Sequence, residues 1–253
     1  SWKTALRKLG FADMIEVGLG GDMTAASEAE EWAEAYKEGK KMTTSCCPAF
    51  VNMIKQHFPT LLDNMSTTVS PMCAVSRFVK EKDPGTITVF IGPCIAKKSE
   101  TLDLNIQNNA DYALTFGEVR AMMRAKNVEL EPEENTYQES SVFGKRFGNG
   151  GGVTAAVVQC FEEMGEDIKP NVMKCNGAAE CKKALLLMKV GKLPADFVEG
   201  MACVGGCVGG PSKHKTEMEA KKARDTLISG ADKRNVLENL KNLGADKVSM
   251  HRS

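Results

Sequence analysis

The 253-residue chain carries 33 Lys and Arg against 33 Asp and Glu, so no net field draws it onto nucleic acid or anionic lipid. Hydrophobic residues at 42% and charged residues at 26% are globular values, and the length suffices to bury a core in one large domain or two lobes. No run of about 18 apolar residues occurs and no signal-peptide pattern opens the sequence, which predicts a cytoplasmic protein with no membrane span.

Ser1 leads into an amphipathic stretch with no initiator Met, which points to a piece of a longer polypeptide. Short apolar runs then read as buried strands at 14–17, 42–44, 87–91, 112–116, 172–174 and 197–201. Helical spacing occupies most of the intervals, at 25–37, 71–82, 118–126, 153–164 and 178–190. The charged stretch 216–243 reads as one or two surface helices broken near Gly230. Strands alternating with helices predict an α/β fold whose parallel sheets are covered by helices. No repeat at solenoid period is present.

Nine cysteines are the informative excess: Cys46, Cys47, Cys73, Cys94, Cys160, Cys175, Cys181, Cys203 and Cys207. An odd count in a chain of this length argues against a disulfide scaffold and for metal ligation or thiol chemistry, with the remainder as small core residues. Three predicted strands run straight into cysteine motifs: 42–44 before Ser45-Cys46-Cys47, 87–91 before Gly92-Pro93-Cys94, and 197–201 before Ala202-Cys203. Ligands of open parallel sheets collect beyond the carboxyl ends of strands, so one shared site between two small sheets accounts for all three.

Met201-Ala-Cys203-Val-Gly-Gly-Cys207-Val-Gly-Gly-Pro211 is the strongest local signal. Two cysteines four apart lie on one face of a turn, and the paired glycines let backbone N–H groups approach a bulky inorganic cluster. Zinc would prefer Cys-x-x-Cys pairs or histidine partners, and His57, His214 and His251 have no ligand-like spacing. Burial of all four cysteines as core residues is the plain alternative.

Thr44-Ser-Cys-Cys-Pro-Ala-Phe50, Gly92-Pro-Cys-Ile-Ala-Lys-Lys-Ser-Glu100 and Glu199-Gly-Met-Ala-Cys-Val-Gly-Gly-Cys207 resemble, in order and separation, the three signature motifs of the iron-only (FeFe) hydrogenases. Thr4-Ala-Leu-Arg-Lys-Leu-Gly-Phe11, Gly21-Asp-Met-Thr24, Phe147-Gly-Asn-Gly-Gly-Gly-Val153 and Asn176-Gly-Ala178 also match stretches of that catalytic domain. The resemblance implies two lobes, near 41–150 and near 1–40 plus 151–253, each a small mainly parallel sheet flanked by helices. The metal-cluster site would lie in the cleft between them.

The same resemblance implies that Cys47, Cys94, Cys203 and Cys207 hold a 4Fe–4S cubane, with Cys207 also bridging to a two-iron subcluster. That subcluster carries carbon monoxide, cyanide and an azadithiolate, and is delivered by hydrogenase maturation proteins. Lys97 would hydrogen-bond a cyanide, and Cys46 would be the proton-relay thiol, followed by Glu28, Ser66 and Glu31. Glutamates clustered on a helix, Glu28, Glu30, Glu31 and Glu34, read equally as a wet face. Ser70, Met72, Phe147 and Met201 would line the subcluster pocket, with Phe147 equally compatible with an ordinary core position.

The chain departs from the family pattern at Gly92, where methionine is typical, at Phe50 for tryptophan, at Met72 for glutamine and at Ala35 for arginine. These exchanges should shift redox potential and inhibitor access. A first strand with an Ala-Pro-Ser segment and a C-terminal wrap belong to the family pattern and lie outside this sequence. The expected activity is reversible heterolytic cleavage of H2 into protons and electrons, with a hydrogen-sensing role in view. Electrons would pass to ferredoxin or to upstream ferredoxin-like domains. The alternative is a non-catalytic relative of the assembly-factor type that binds only a 4Fe–4S cluster. Against that alternative stand Gly205, where such relatives tend to have serine, and the Cys46 thiol, which they tend to lack.

Overall fold

A computed structural model describes residues 2–131 and 138–252. In chain order its elements are α1 (Trp2–Leu9), α2 (Gly18–Lys37), β1 (Met42–Thr43), α3 (Pro48–His57), α4 (Pro71–Lys82), β2 (Val89–Gly92), α5 (Ala96–Glu100), β3 (Tyr112–Thr115) and α6 (Phe116–Ala125). There follow α7 (Val142–Arg146), α8 (Gly152–Met164), β4 (Val172–Asn176), α9 (Ala178–Lys189), β5 (Phe197–Met201), α10 (Glu217–Ser229) and α11 (Val236–Leu243). Among these residues no helix is long and apolar enough to cross a membrane.

The strands form two small sheets, and every pairing within them is parallel. One has the order β1-β5-β4, with Met42 opposite Phe197 and Val172 opposite the same residue. The other pairs β2 with β3, Gly92 lying opposite Thr115. Helices cover the sheets, as parallel strands require, because each strand must hide both faces. The chain is therefore α/β, as its alternating pattern predicts.

Two expectations need correction. Residues 14–17 form no strand: Glu16 accepts the backbone N–H groups of Glu139 and Ser140 and the Lys145 ammonium, while its own N–H goes to the Glu139 carboxylate. Side chains and the first turn of α2, which bonds the Glu16 and Val17 carbonyls, take the place of a neighbouring strand. β1 also joins β5 and not β2, so the strand that opens at residue 42 belongs to the sheet of the C-terminal half, unlike the expected lobe of 41–150. One core cluster draws from all three stretches, including Leu19, Trp32, Val69, Phe78, Val157 and Phe197.

Helix α2 runs through the middle of that cluster and packs on α4, α7, α8 and α11. Its glycines and alanines make this possible. A Cβ on Gly20 would lie 2.1 Å from the Pro71 carbonyl oxygen, so only glycine permits the approach of α4. Trp32 stacks on Phe197 of β5, centroids 4.3 Å apart and planes 8° from parallel, which seats the helix on the three-stranded sheet.

Candidate metal centre

Three strand ends deliver the thiols. Past β1 the chain reaches Ser45, Cys46 and Cys47, and Cys47 becomes the residue before α3, whose first position is Pro48. Proline is pre-set for a helix start, so the turn that presents Cys47 is stiff on its helical side. Past β2 comes Cys94, whose sulfur accepts the backbone N–H groups of Ala96 and Lys97 as α5 begins. Past β5 come Cys203 and Cys207, separated by Gly205 and Gly206 at φ values of 82° and 80°. A Cβ on Gly206 would meet the Gly148 carbonyl oxygen at 2.4 Å, and that oxygen accepts the Cys207 N–H at 2.8 Å. The third motif is thereby held against 148–150, and Gly205 N–H is held by Asn176 Oδ1 at 2.7 Å.

The four cysteines share one neighbourhood. Ionisation of Cys207 is opposed first by burial and then by Cys47, Cys94 and Cys203, which lift its pKa to about 12. Cys203 is likewise raised by burial and by Cys47 and Cys94. Cys207 is open to solvent although protein surrounds it, the condition of a side chain lining a concavity. Four thiols that disfavour one another's charge become favourable ligands only around a strongly cationic centre. Among the described residues no three Cys, His, Asp or Glu side chains are gathered tightly enough to grip one ion. Soft donors spread around a common space, with backbone N–H groups turned on a sulfur, match an iron–sulfur cluster better than a single metal.

Lys97 is buried against this cluster. Its ammonium donates to Glu100 at 2.5 Å and to the Cys46 carbonyl oxygen at 3.4 Å. Burial opposes its charge, but the Glu100 carboxylate and the Cys94 and Cys46 thiols outweigh that and raise its pKa above the usual lysine value. Lys98, by contrast, is paired with Glu118 at the surface.

A line of polar groups leads away from the thiols. Cys46 is buried, and burial, then Glu28, Cys47 and Glu199, push its pKa well above the thiol range. Glu28 is completely buried on α2, accepts the Ser45 N–H at 3.2 Å, and has one oxygen, Oε2, without a partner. Burial lifts its pKa to about 8 despite that hydrogen bond. One turn along α2, Glu31 receives hydrogen bonds from the Ser66 hydroxyl, from the Thr67 N–H at 3.0 Å and from the Thr67 hydroxyl at 2.5 Å. Cys46, Glu28, Ser66 and Glu31 are thus brought together. The wet-face reading holds for Glu30 and Glu34, which are exposed, whereas Glu28 is completely buried and Glu31 half-buried.

Ser70 precedes α4 with its hydroxyl buried and unpartnered, and Met72 is buried in the first turn. Phe147 follows α7 and lies against Gly21 of α2, while Met201 ends β5 and accepts the Gly177 N–H. Both belong to the main core cluster. Cys73 and Cys160 are core residues of the same cluster. Cys175 and Cys181 lie in a second cluster, their thiols hydrogen-bonded to each other.

Two buried carboxylates went unnoticed in sequence. Glu199 sits in the middle of β5 and accepts Gly151 N–H at 2.7 Å, Thr154 N–H at 2.9 Å and the Thr154 hydroxyl at 2.5 Å, tying the strand to the start of α8. Asp22 accepts the Ser141 N–H at 2.7 Å and hydroxyl at 2.6 Å, and burial lifts its pKa to about 6. A glutamate inside a run as apolar as Phe-Val-Glu-Gly-Met was the available signal. Beside the third motif, a cavity of about 530 Å³ is lined by Lys174, Lys221 and Arg224 together with Gly205 and Val208.

The profile of a family described as iron only hydrogenase large subunit, C-terminal domain, matches residues 1–211. Over 90% of its length the chain is 26% identical to iron hydrogenase 1 of Clostridium pasteurianum, covering 49% of that protein. A probable cytosolic Fe-S cluster assembly factor of Brugia malayi is 23% identical over 87% of the chain and 59% of its own length. The chain thus spans about half to three fifths of these relatives. Its fold superposes on the FeFe-hydrogenase of Chlamydomonas reinhardtii, in a single-residue variant, with a TM-score of 0.75 and 19% identity, covering 98% of this chain and 86% of the other.

Proposed function

The chain belongs to the iron-only hydrogenase large-subunit family, and from that premise we propose that it cleaves dihydrogen reversibly into protons and electrons. Cys47, Cys94, Cys203 and Cys207 would hold a 4Fe–4S cluster, with Cys207 shared with a two-iron subcluster bearing carbon monoxide, cyanide and azadithiolate. When bound, that assembly supplies the site where H2 is split heterolytically. The protein supplies binding, dryness and proton movement.

What carries the reading is the buried Cys46–Glu28 pair, continued by the buried Ser66 to the half-buried Glu31. A protein that only stores or transfers an iron–sulfur cluster has no use for a buried glutamic acid beside a second, non-ligating cysteine. Cys46 stays a thiol at neutral pH and so holds a proton to give. Glu28, with its pKa near 8, is mostly protonated at neutral pH yet close enough to ionisation to pass a proton on. Ser66 and Thr67 hold Glu31 to receive it. Lys97 keeps a positive charge inside the pocket, where an anionic ligand such as cyanide would replace or share its contact with Glu100. Ser70, with its free buried hydroxyl, and the apolar Met72, Phe147 and Met201 would line the same pocket.

Electrons would enter or leave through an acidic carrier such as a ferredoxin, docked on Lys174, Lys221 and Arg224 beside the Cys203–Cys207 loop. Reversing Lys174 and Lys221 to Glu should raise the KM for ferredoxin while leaving dye-linked turnover unchanged; equal effects on both would move the docking site elsewhere.

The deciding experiment is maturation of the complete natural polypeptide, followed by infrared spectroscopy and H2 turnover. Bands of metal-bound carbonyl and cyanide with turnover are expected. Iron and sulfide in cubane stoichiometry with neither bands nor turnover would leave the assembly-factor reading instead.

A further inference from the structure

The last described residues close over the outer end of the polar line. Val69 N–H donates to the Met250 carbonyl at 2.7 Å, Arg252 N–H to the Thr67 carbonyl at 2.9 Å, and Thr68 and His251 form an antiparallel bridge. From α4, Arg77 holds the segment down, donating to the Ser249 and His251 carbonyls at 2.6 and 3.0 Å. Backbone bonds thus fix 249–252 as a strap across 67–69, the segment whose Thr67 hydroxyl contacts Glu31.

Two side chains of the strap point at the line from opposite ends. Arg252 donates to the Ser45 carbonyl at 2.8 Å, its Nε and Nη1 are buried without partners, and its charge eases the ionisation of Glu28. His251 turns outward. Its Nδ1 is 2.8 Å from the Thr67 hydroxyl and 3.4 Å from Glu31 Oε1, and its side chain is 53% exposed while that of Glu31 is 15% exposed. The Thr67 hydroxyl therefore bridges a mostly covered carboxyl and an imidazole in contact with water.

Resting on the hydrogenase reading above, we propose that His251 is the port through which Glu31 exchanges protons with solvent, with the Thr67 hydroxyl as the bridge. In the outward direction, protonated Glu31 gives its proton to Thr67 Oγ1 as that oxygen releases its own to Nδ1. The imidazolium so formed loses the Nε2 proton to water, and solvent exchange returns the ring to its Nε2–H tautomer. Uptake runs through the same bonds in reverse. Histidine suits the position because its two nitrogens can accept on one side and release on the other. The Glu31 carboxylate from α2 faces the ring, while Arg77 from α4 bonds the strap's backbone carbonyls and Arg252 turns inward to the Ser45 carbonyl.

Two measurements test this. With only His57, His214 and His251 in the sequence, histidine NMR can follow each ring individually in the metal-free protein. Glu31→Gln should shift the ring resonances of His251 and leave those of the other two unmoved. An unmoved His251 would overturn the proposal whatever the protein catalyses. In the matured enzyme, His251→Ala should slow turnover roughly threefold to tenfold, and added imidazole should restore much of the loss. His57→Gln, on an exposed helix end, should have no effect. An active wild type matched in rate by His251→Ala overturns the port alone. A wild type with carbonyl and cyanide bands absent and no turnover overturns the hydrogenase reading, and the port falls with it.

Discussion

The two sheets carry the same kind of cargo on very different foundations. In the three-stranded sheet β5 is buried along its whole length, with β1 and β4 on either side and Trp32 stacked on Phe197. It supports Cys47 through β1 and Cys203 and Cys207 through β5. The β2–β3 pair has four residues in each strand, only Gly92, Ala113 and Thr115 of them buried, and supports Cys94 and Lys97. Two short strands are not stable by themselves, and this pair depends on the small cluster of Ala5, Leu6, Val119 and Met123 beside it. Three of the four proposed ligands thus stand on the buried platform and the fourth on the more exposed pair. A cluster that bonds to all four would fasten the second to the first.

Removing metal should expose that difference most sharply. In the loaded protein, stripping iron with a chelator should speed amide exchange in Val89–Gly92 and Tyr112–Thr115 by about tenfold or more, while Phe197–Met201 stays protected. Exchange that rises equally in both sheets would mean that the platform is no stiffer than its partner. Within the platform, Glu199→Ala leaves the buried N–H groups of Gly151 and Thr154 without an acceptor and should cost about 3 kcal/mol in urea unfolding. Glu199→Gln, which keeps an acceptor oxygen, should cost less.

Glu28 shows that this platform also stores a penalty. Its carboxyl has a pKa near 8 in the fold against 4.5 as the ordinary value. An acid raised by folding stabilises least at high pH: the native state holds a proton that the unfolded chain gives up, so stability falls as pH climbs from 4.5 through about 8. Glu28→Gln carries no charge to bury and should be more stable than wild type by roughly 2 kcal/mol at pH 8, with the gain fading toward pH 4.5. In matured enzyme the same variant should lose most H2 turnover. A substitution that strengthens the fold and weakens the reaction is the signature of a group retained for chemistry.

The sheet alternation and the three strand-to-cysteine junctions could be read directly, because strand period, glycine spacing and thiols occur together in short windows. Helix α4 follows its sequence pattern to the residue, since Pro71 starts it and apolar spacing sustains it. What escaped reading was long-range. Residues 14–17 look like a strand until Glu139, Ser140 and Lys145 bond to Glu16, more than 120 positions away. The single turn Ala96–Glu100 and the short helix Val142–Arg146 are too brief to show a period. Glu28 reads equally as a relay acid or as part of a wet face, because helix periodicity cannot reveal that four other helices pack on α2. Arg252 and His251 reach the site through backbone bonds to Thr67 and Val69 that no local pattern announces.

The smallest effect tests how local the pliant sheet's support is. Thr115 ends β3 and caps α6: its hydroxyl accepts the Glu118 N–H at 3.3 Å, and the Glu118 carboxylate in return accepts the Thr115 N–H at 2.7 Å. Lys98 and these reciprocal bonds hold the Glu118 pKa down near 2, so the cap remains charged throughout the acid range in which most carboxylates protonate. Glu118 also pairs with Lys98 on α5 at 2.7 Å, next to Lys97, so the cap links the strand, its helix and the turn that presents the buried ammonium. Thr115→Ala removes one side of the box and should cost about 1 kcal/mol. In the metal-free protein the loss should appear as faster exchange confined to 112–125, with β4 and β5 unchanged. If Cys94 ligates the cluster as proposed, bound iron anchors β2 from its other end, and the same substitution should then have a smaller effect on exchange. If the effect is undiminished, the cluster does not fasten the second sheet, and the contrast between platform and partner belongs to the polypeptide alone.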